Sequence, residues 1–393
     1  MQFTHHMPAR IRFGAGSLDS LGVEPLPGRK ALIVISAGRS MRRNGYLDRV
    51  VALLAKNGVE SVVFDKIQPN PVRAHVMEGA ALARREGCDF VLGLGGGSSI
   101  DSAKSIALMA KNDGDYWDYI GGGSGKGRPA CGGALPIVAV TTTAGTGTEA
   151  DPWTVITKED TNEKIGFGNA DTFPTLSIVD PDLMMTVPPA LTAYQGFDAL
   201  FHATEGFIAA CASPMSDLYA LKSIELVTRW LPAAVRDGSD AEARAQLAFA
   251  NTLSGFVESI SCCTSEHSLE HAMSANHPAL PHGAGLVMIS VAYYEFFLGK
   301  IPGQLYEAMA RAMGEDVDAL PAAERPAAFL TALRKLIAAC GLEDLSMSYF
   351  GIRREELPAL ARNARETMGA LFELDRYKMS QAEAEGILER AWR

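Results

Sequence analysis

The stretch VLGLGGGSSIDSAKSIALMA (91–110) has the pattern of a buried strand, a glycine-rich turn and a helix in direct succession. Glycines let the backbone approach a ligand closely, and the amide groups at the start of the helix favour an anion such as a diphosphate. The spacing is not the Rossmann fingerprint, because counting from Gly93 gives Gly-x-Gly-x-x-Ser. The turn alone therefore does not decide between two roles for its glycines, which are phosphate binding and close packing of the backbone.

Further segments of strand length flank this stretch along the chain. Each is apolar on both faces, which is typical of strands in a parallel sheet covered by helices. They are ALIVIS (31–36), SVVFD (61–65), LPIVAVTT (135–142) and LSIVD (176–180). Helical patterns separate them up to about residue 185, so the sequence predicts a doubly wound α/β domain.

After residue 185 the apolar residues follow a helical period instead of forming short strand-like runs. Stretches at 214–231, 240–260 and 323–340 repeat apolar residues with the 3.6-residue period of a helix. We therefore predict two domains, an α/β dinucleotide-binding domain at 1–185 and an all-helical domain at 186–393.

A second turn, TTTAGTGTEADP (141–152), follows another of the predicted strands. It offers hydroxyl groups together with backbone amides, and two such turns at the carboxyl ends of strands in one sheet favour a bound dinucleotide. The loop GGGSGKG (121–127) resembles a P-loop, but Ile120 replaces the first glycine and Gly127 replaces the Ser/Thr. We interpret it as a flexible surface loop.

Composition narrows the possible partners and the location. The 393-residue chain has a formal net charge of −10 and no basic cluster mixed with aromatics, which argues against nucleic acid. Neither a run of eighteen apolar residues nor a signal peptide is visible, so we expect no membrane partner and a cytoplasmic protein. The six cysteines lack CxxC spacing and are expected to be reduced, mostly buried thiols.

Potential metal ligands occur at helical spacing in the second half. In QGFDALFHATEGF, Asp198 and His202 are four residues apart, so both side chains leave one face of a helix. His267 and His271 repeat this spacing. A single histidine on a helix is more often a surface or hydrogen-bonded core residue than a ligand, but two such pairs favour a common site.

His282, beyond a proline-containing loop, adds a further imidazole. A carboxylate with two or three imidazoles suits iron or zinc, so we predict that 186–393 is a metal-binding domain. The segment HSLEH (267–271) also matches the H-x-x-E-H signature of inverzincin peptidases, with Glu270 as the base. That alternative leaves the glycine turns of the first half unexplained.

A set of motifs in this order resembles the iron-containing (group III) alcohol dehydrogenases over nearly the whole chain. The motifs are IRFGAGSL, PNP, GGGSSIDSAK, TTAGTGTE, VDPDL, PPALTAYQGFDALFHATE and the histidine-rich stretch that ends in LPHG. The resemblance implies the dehydroquinate synthase-like architecture, an α/β nucleotide-binding domain followed by an all-α domain. This agrees with the division that periodicity predicts.

The resemblance also implies the residues of the metal site. Its four ligands fall on Asp198, His202, His267 and His282, and His271 takes the place of a histidine beside the nicotinamide. We expect His271 to be catalytic, as a relay for the alcohol proton.

The loop between the last two histidine motifs is one residue longer than is usual in the family. His277 lies in this longer loop, either in the substrate pocket or in solvent, and we favour the solvated position.

The cofactor-binding residues implied in the same way lie in the first half. They are Asn70, Gly96, Gly97, Ser98, Thr142, Thr143, Thr146 and Lys164. Trp153 replaces a smaller residue near the nicotinamide, so the shape of the substrate pocket is not fixed by the resemblance.

One position bears on the choice of dinucleotide. Many members have Asp at the end of the second strand, where this chain has Ser36 followed by Arg39, Arg42 and Arg43. A carboxylate there repels a 2′-phosphate, whereas serine and arginines can accept one, so the cofactor is NAD(H) or NADP(H).

The implied activity is that of a metal-dependent, NAD(P)-linked alcohol dehydrogenase or aldehyde reductase acting on a small primary alcohol or aldehyde. Fe2+ is the expected ion, with Zn2+ possible, and a homodimer or higher homo-oligomer is the expected assembly. A metal-dependent lyase of the dehydroquinate synthase type is an alternative, but its Glu/His/His ligand set does not match Asp198. A metal-storage protein would not need two phosphate-binding turns.

Overall fold

The computed structural model describes residues 3–393 of the protein. These residues form two compact units, an α/β unit at 7–186 and a helical unit that joins 187–393 to the segment ending at His6. In that segment, the ring of His5 lies 6.2 Å from the ring of Tyr219, measured between centroids. The assignment of dinucleotide binding to one unit and metal binding to the other remains a prediction.

A parallel sheet forms the centre of the α/β unit. The strands of this unit are β1 (Arg10–Phe13), β2 (Lys30–Ser36), β3 (Glu60–Ile67), β4 (Phe90–Gly95), β5 (Ile137–Thr141), β6 (Thr154–Lys158), β7 (Glu163–Phe167) and β8 (Leu176–Val179). Six of them pair in the order β1-β8-β5-β4-β2-β3, while β6 and β7 form a separate antiparallel hairpin. All five segments predicted as strands belong to the parallel sheet, and the α/β class is confirmed.

The direction of the strand order reverses between β2 and β4. The helices of this unit are α1 (Ser40–Arg43), α2 (Tyr46–Lys56), α3 (Arg73–Glu86) and α4 (Gly97–Lys111). The chain reaches β3 through α1 and α2, then passes through α3 to β4 on the other side of β2. Open α/β sheets bind ligands at such a reversal, beside the carboxyl ends of the strands, which here are Ser36 and Gly95.

Helices that are buried over most of their length form the centre of the helical unit. Within residues 187–393, all of which the structure describes, the helices are α5 (Pro189–Ile208), α6 (Pro214–Arg236), α7 (Ala241–Ile260), α8 (Ser265–Asn276), α9 (His282–Phe297), α10 (Gly303–Ala312), α11 (Ala328–Ala339), α12 (Leu357–Leu374) and α13 (Gln381–Ala391). Every residue of α5 from 196 to 208 is buried. Across residues 3–393, each helix is too short or too polar to span a lipid bilayer.

Lys104 fixes α4 to the carboxyl-terminal end of the second glycine-rich turn. Its side chain is fully buried, and its Nζ donates to the Thr148 hydroxyl at 2.6 Å and to the Asp151 carboxylate at 3.0 Å. It also donates to the backbone carbonyls of Asp151 and Trp153, at 2.9 and 2.7 Å. A buried ammonium is stable only with such complete pairing, so Lys104 is a structural residue that holds this turn against α4.

Replacing Lys104 by methionine is expected to destabilise the α/β unit by about 3–5 kcal/mol, because the buried carboxylate of Asp151 would lose the positive charge that compensates it. Urea unfolding followed by tryptophan fluorescence measures this change, and Trp117 and Trp153 lie in this unit. Lys111, exposed in the last turn of the same helix, provides the control, and Lys111→Met should change the free energy by less than about 0.5 kcal/mol. Equal stability of the two variants would contradict the structural role of Lys104.

Candidate functional site

Four side chains on three helices converge on one point in the helical unit. Asp198 and His202 leave α5, His267 leaves α8, and His282 is the first residue of α9. The carboxylate oxygen Oδ1 of Asp198 lies 3.7 Å from Nε2 of His202, 3.6 Å from Nε2 of His267 and 3.4 Å from Nε2 of His282. The four residues predicted as ligands are therefore neighbours in space.

Two carboxylates outside this cluster orient its imidazoles. Nδ1 of His267 is hydrogen-bonded to Glu205, and Nδ1 of His282 is hydrogen-bonded to Glu270. Both glutamates are fully buried. Since a carboxylate accepts, Nδ1 of each ring carries a proton, and Nε2 is the nitrogen that faces Asp198. This is the tautomer that a metal ion requires of a histidine ligand.

Close approach of α9 to its neighbours depends on two glycines. A Cβ atom on Gly283 would lie 2.1 Å from the carbonyl oxygen of Tyr194 on α5. On Gly285 it would lie 2.8 Å from the side chain of Glu270 on α8. The sequence HGAG at the start of α9 therefore lets His282 reach Asp198 and leaves room for the carboxylate of Glu270.

The electrostatics of the cluster favour a cation. Burial by itself would raise the pKa of Asp198, but the imidazoles of His202 and His282 outweigh it and hold that pKa well below its usual range. For His267 burial acts to lower the pKa, yet Glu205 and Asp198 raise it well above the ordinary value. Surroundings that stabilise a proton on His267 equally stabilise a metal ion in its place.

Two buried polar atoms test whether these residues fit a metal ion. Among residues 3–393, Oδ1 of Asp198 and Nε2 of His267 have no hydrogen-bond partner, although buried polar atoms are normally paired. Oxygen and nitrogen ligands about 2.1 Å from a tetrahedral ion lie roughly 3.4 Å apart, close to the separations measured around Asp198. The donor set and its spacing therefore fit a divalent ion.

The remaining histidines of the stretch lie in different surroundings. His271 is buried on α8, its ring centroid is 5.2 Å from that of His282, and its Nδ1 lies 2.9 Å from the sulfur of Met368. His277 is half-buried, with Nε2 3.6 Å from the carboxylate of Glu356. The structure thus places His271 beside the cluster and pairs His277 with an acidic side chain.

Sequence reasoning missed the carboxylates that support the imidazoles. Glu205 continues the face of Asp198 and His202, because 198, 202 and 205 are spaced as i, i+4 and i+7, and this spacing is the signal that could have found it. Glu270 was considered only as the base of a peptidase, whereas the structure joins it to His282.

Cys263 and Glu258 were also missed. They lie on the side of the cluster where the rings of His202 and His267 stack, with their centroids 4.5 Å apart. Cys263 Sγ donates to Oε1 of Glu258 at 2.9 Å, and Oε2 of Glu258 lies 4.0 Å from Nε2 of His202. No sequence pattern that we considered points to this pair.

The two glycine-rich turns of the α/β unit lie against each other. The backbone amide of Thr142 donates to the carbonyl of Gly95 at 2.9 Å, while Gly96 and Gly97 face Thr143 and Thr146.

The other three predicted cofactor residues belong to the same unit. Ser98 is in the first turn of α4, and Nζ of Lys164 donates to Oδ1 of Asn70 at 3.1 Å. The eight predicted cofactor residues therefore form two groups in the α/β unit. One group lies in the two adjoining turns and the start of α4, and the other is the pair of Lys164 and Asn70.

A cavity of about 540 Å³ lies at the carboxyl end of β2. Its lining residues are Ser36, Ala37, Gly38, Arg39, Arg42, Arg43 and Asp65. Arg42 forms an ion pair of 2.6 Å with Asp65, a carboxylate near the end of β3 that the sequence analysis did not consider. The cavity thus combines three arginines with one acidic group that offsets part of their charge.

Comparison with known proteins gives matches over both units. The model of "Iron-containing alcohol dehydrogenase" matches residues 8–181, and that of "Fe-containing alcohol dehydrogenase family, C-terminal" matches residues 192–392. The NAD-dependent methanol dehydrogenase of Bacillus methanolicus is 32% identical over 361 residues, covering 91% of this chain and 92% of the relative. The 1,3-propanediol dehydrogenase of Klebsiella pneumoniae is 31% identical and covers 92% of each chain.

A solved structure is also similar throughout. The crystal structure of an archaeal halo-thermophilic alcohol dehydrogenase from a Red Sea brine pool is 34% identical, with a TM-score of 0.94. The match covers 100% of this chain and 99% of the other. Neither a peptidase nor a lyase of the dehydroquinate synthase type is favoured by these similarities.

Glu270→Gln is expected to weaken binding of Fe2+ or Co2+ by about 10–100-fold, because the amide supports the Nδ1 proton of His282 less strongly than the carboxylate. Anaerobic competition against a chromogenic chelator measures the affinity. The control is Glu266→Gln on the same helix, since burial and the nearby Glu205 raise the pKa of Glu266 well above its usual value, and a neutral carboxyl resembles an amide. Equal affinities of wild type and Glu270→Gln would contradict the orienting role.

Proposed function

Because the chain belongs to the iron-containing alcohol dehydrogenase family, we propose that it transfers hydride between C4 of a nicotinamide dinucleotide and the carbinol carbon of a small primary alcohol. The observation that carries the proposal is the convergence of three imidazole Nε2 atoms on the carboxylate of Asp198. We further propose a cytoplasmic enzyme that works as a homo-oligomer.

In this proposal Asp198, His202, His267 and His282 hold Fe2+, and their oxygen and nitrogen donors also admit Zn2+. When bound, the ion supplies a Lewis acid that stabilises negative charge on the substrate oxygen. Glu205 and Glu270 keep the rings of His267 and His282 in one tautomer, so the donor atoms need no reorganisation during the reaction. The side chain of His282 is 22% exposed and leaves the otherwise buried cluster accessible from one side.

The α/β unit supplies the proposed dinucleotide site. Amide groups at the start of α4 suit the diphosphate, with Gly96, Gly97 and Ser98 at that helix end. Thr142, Thr143 and Thr146 add hydroxyl groups from the adjoining turn, and the pair of Lys164 with Asn70 completes the proposed set. These residues bind and orient the nicotinamide, which limits the motion between donor and acceptor carbons.

We assign to His271 the transfer of the proton of the substrate hydroxyl. This residue lies beside the cluster, and its Nδ1 has the sulfur of Met368 as a weak partner at 2.9 Å. We assign proton exchange with the substrate hydroxyl to Nε2. Glu270, the base of the peptidase alternative, is instead engaged by the ring of His282, which argues against that alternative.

His267→Ala is expected to lose the ion and the activity together, whereas His271→Ala should keep most of its metal and turn over more slowly. Metal analysis of anaerobically purified protein is compared with NADH oxidation by formaldehyde, 3-hydroxypropanal and butanal. The first two aldehydes correspond to the alcohols named in the relatives. Retention of full metal content and rate by His267→Ala would refute the ligand assignment, and parallel loss of metal and rate in His271→Ala would refute the relay.

The cavity at Ser36 supports the proposal that NADP(H) is accepted beside NAD(H). Ser36→Asp should shift the ratio of kcat/KM toward NAD by about tenfold to a hundredfold, because the new carboxylate repels a 2′-phosphate. Asp65→Asn should shift the ratio the other way, since it removes a negative charge and releases Arg42 from its ion pair. A wild type inert with NADPH, or a ratio unchanged in both variants, would show that another region sets cofactor choice.

A further inference from the structure

Two cysteines meet at the corner where α5 ends and α8 begins. Cys211 lies in the turn after α5, and Cys262 lies in the link between α7 and α8. Their Sγ atoms are 3.0 Å apart. Cys211 is exposed, whereas Cys262 is only 8% exposed. The pair therefore has one sulfur open to reagents and one sulfur directly behind it.

The surroundings of the pair favour a thiolate on Cys211. The thiol of Cys262 is hydrogen-bonded to it, the hydroxyl of Ser261 lies 3.7 Å away, and the guanidinium of Arg376 adds positive charge. Against the opposing effect of burial, these neighbours lower the pKa of Cys211 to about 6. The pKa of Cys262 is raised, first by its hydrogen bond to Cys211 and then by burial. A low-pKa, accessible thiolate beside a second thiol is the arrangement found in peroxide-sensitive proteins.

We propose that Cys211 and Cys262 form a peroxide-reactive thiol pair that closes to an intramolecular disulfide. The thiolate of Cys211 attacks hydrogen peroxide, the O–O bond breaks, and with one proton the products are a sulfenic acid on Cys211 and water. The sulfur of Cys262 then attacks the sulfur of Cys211, the S–O bond breaks, and the proton of Cys262 leaves with the hydroxyl as a second water. In total two thiols are oxidised and one peroxide is reduced.

The other cysteines lack this combination. Cys263 is hydrogen-bonded to Glu258 at 2.9 Å, and burial raises its pKa well above the ordinary value. Cys88 and Cys340 are buried. Cys131 is exposed, but within residues 3–393 the structure records no sulfur in contact with it, which makes it the matched control for an isolated surface thiol.

The disulfide would cross-link two segments that adjoin the helices of the proposed metal site. The turn of Cys211 follows α5, which carries Asp198 and His202, and Cys262 precedes α8, which carries His267. The closed loop contains α6 and α7, so the cross-link restricts the unfolded chain more than the native one. Oxidation should therefore raise the melting temperature by roughly 4–10 °C.

The experiment treats the full-length, metal-loaded protein with one equivalent of hydrogen peroxide at pH 7 and maps the products by non-reducing peptide mass spectrometry. We expect a linked peptide pair containing Cys211 and Cys262, two hydrogens lighter than the free peptides. Cys211 should react roughly tenfold faster than Cys131, because the hydrogen bond to Cys262 and the charge of Arg376 favour the thiolate of Cys211. In Cys262→Ser the sulfenic acid should persist on Cys211 and be trapped by dimedone, and the melting temperature should not rise on oxidation.

Cys131→Ser should leave the linked peptide and the rise in melting temperature unchanged. The proposal is overturned if Cys211 and Cys131 are oxidised at equal rates without a linked peptide. It is also overturned if the linked peptide persists in Cys262→Ser, which would identify Cys263 as the resolving thiol.

Discussion

The burial of three carboxylates among three imidazoles is the constraint on which the helical unit depends. Asp198, Glu205 and Glu270 are all at least nine-tenths buried, and each contacts a histidine of the cluster. In the neutral tautomer that ligates a metal ion, the rings of His267 and His282 carry a proton only on Nδ1, and the negative charge of the three carboxylates is then in excess. Such a buried excess is costly unless a cation compensates it. A divalent ion in contact with Asp198 satisfies the electrostatics and occupies the lone pairs that lack hydrogen-bond donors.

This requirement explains the local sequence around the cluster. Positions 198, 202 and 205 share one face of α5, so one helix supplies two of the proposed ligands and one supporting carboxylate. His282 completes the set only because Gly283 and Gly285 let the start of α9 pack closely against its neighbours. In the α/β unit the corresponding buried charge is Lys104, which anchors the end of the second glycine-rich turn to α4.

The sequence was most informative where a pattern repeats. Buried strands such as 90–95 and the pairs Asp198/His202 and His267/His271 at i, i+4 spacing were visible because apolar runs and helical periodicity are local signals. The edge strand β1 was missed because RIRF is largely exposed, and β6 and β7 were missed because a short hairpin outside the main sheet lacks a continuous apolar run. The contacts of Asp65 with Arg42, and of Cys211 with Cys262, join distant segments and have no periodic signal.

The central claim is that the four side chains around Asp198 hold the divalent ion needed for hydride transfer. Anomalous diffraction above and below the iron K edge, on crystals grown anaerobically with Fe2+, tests it most directly. The account predicts one anomalous peak per chain, in contact with Asp198, His202, His267 and His282. A peak held by Cys263 and Glu258 instead, or an enzyme that oxidises NADH with an aldehyde while no ion occupies the cluster, would contradict it.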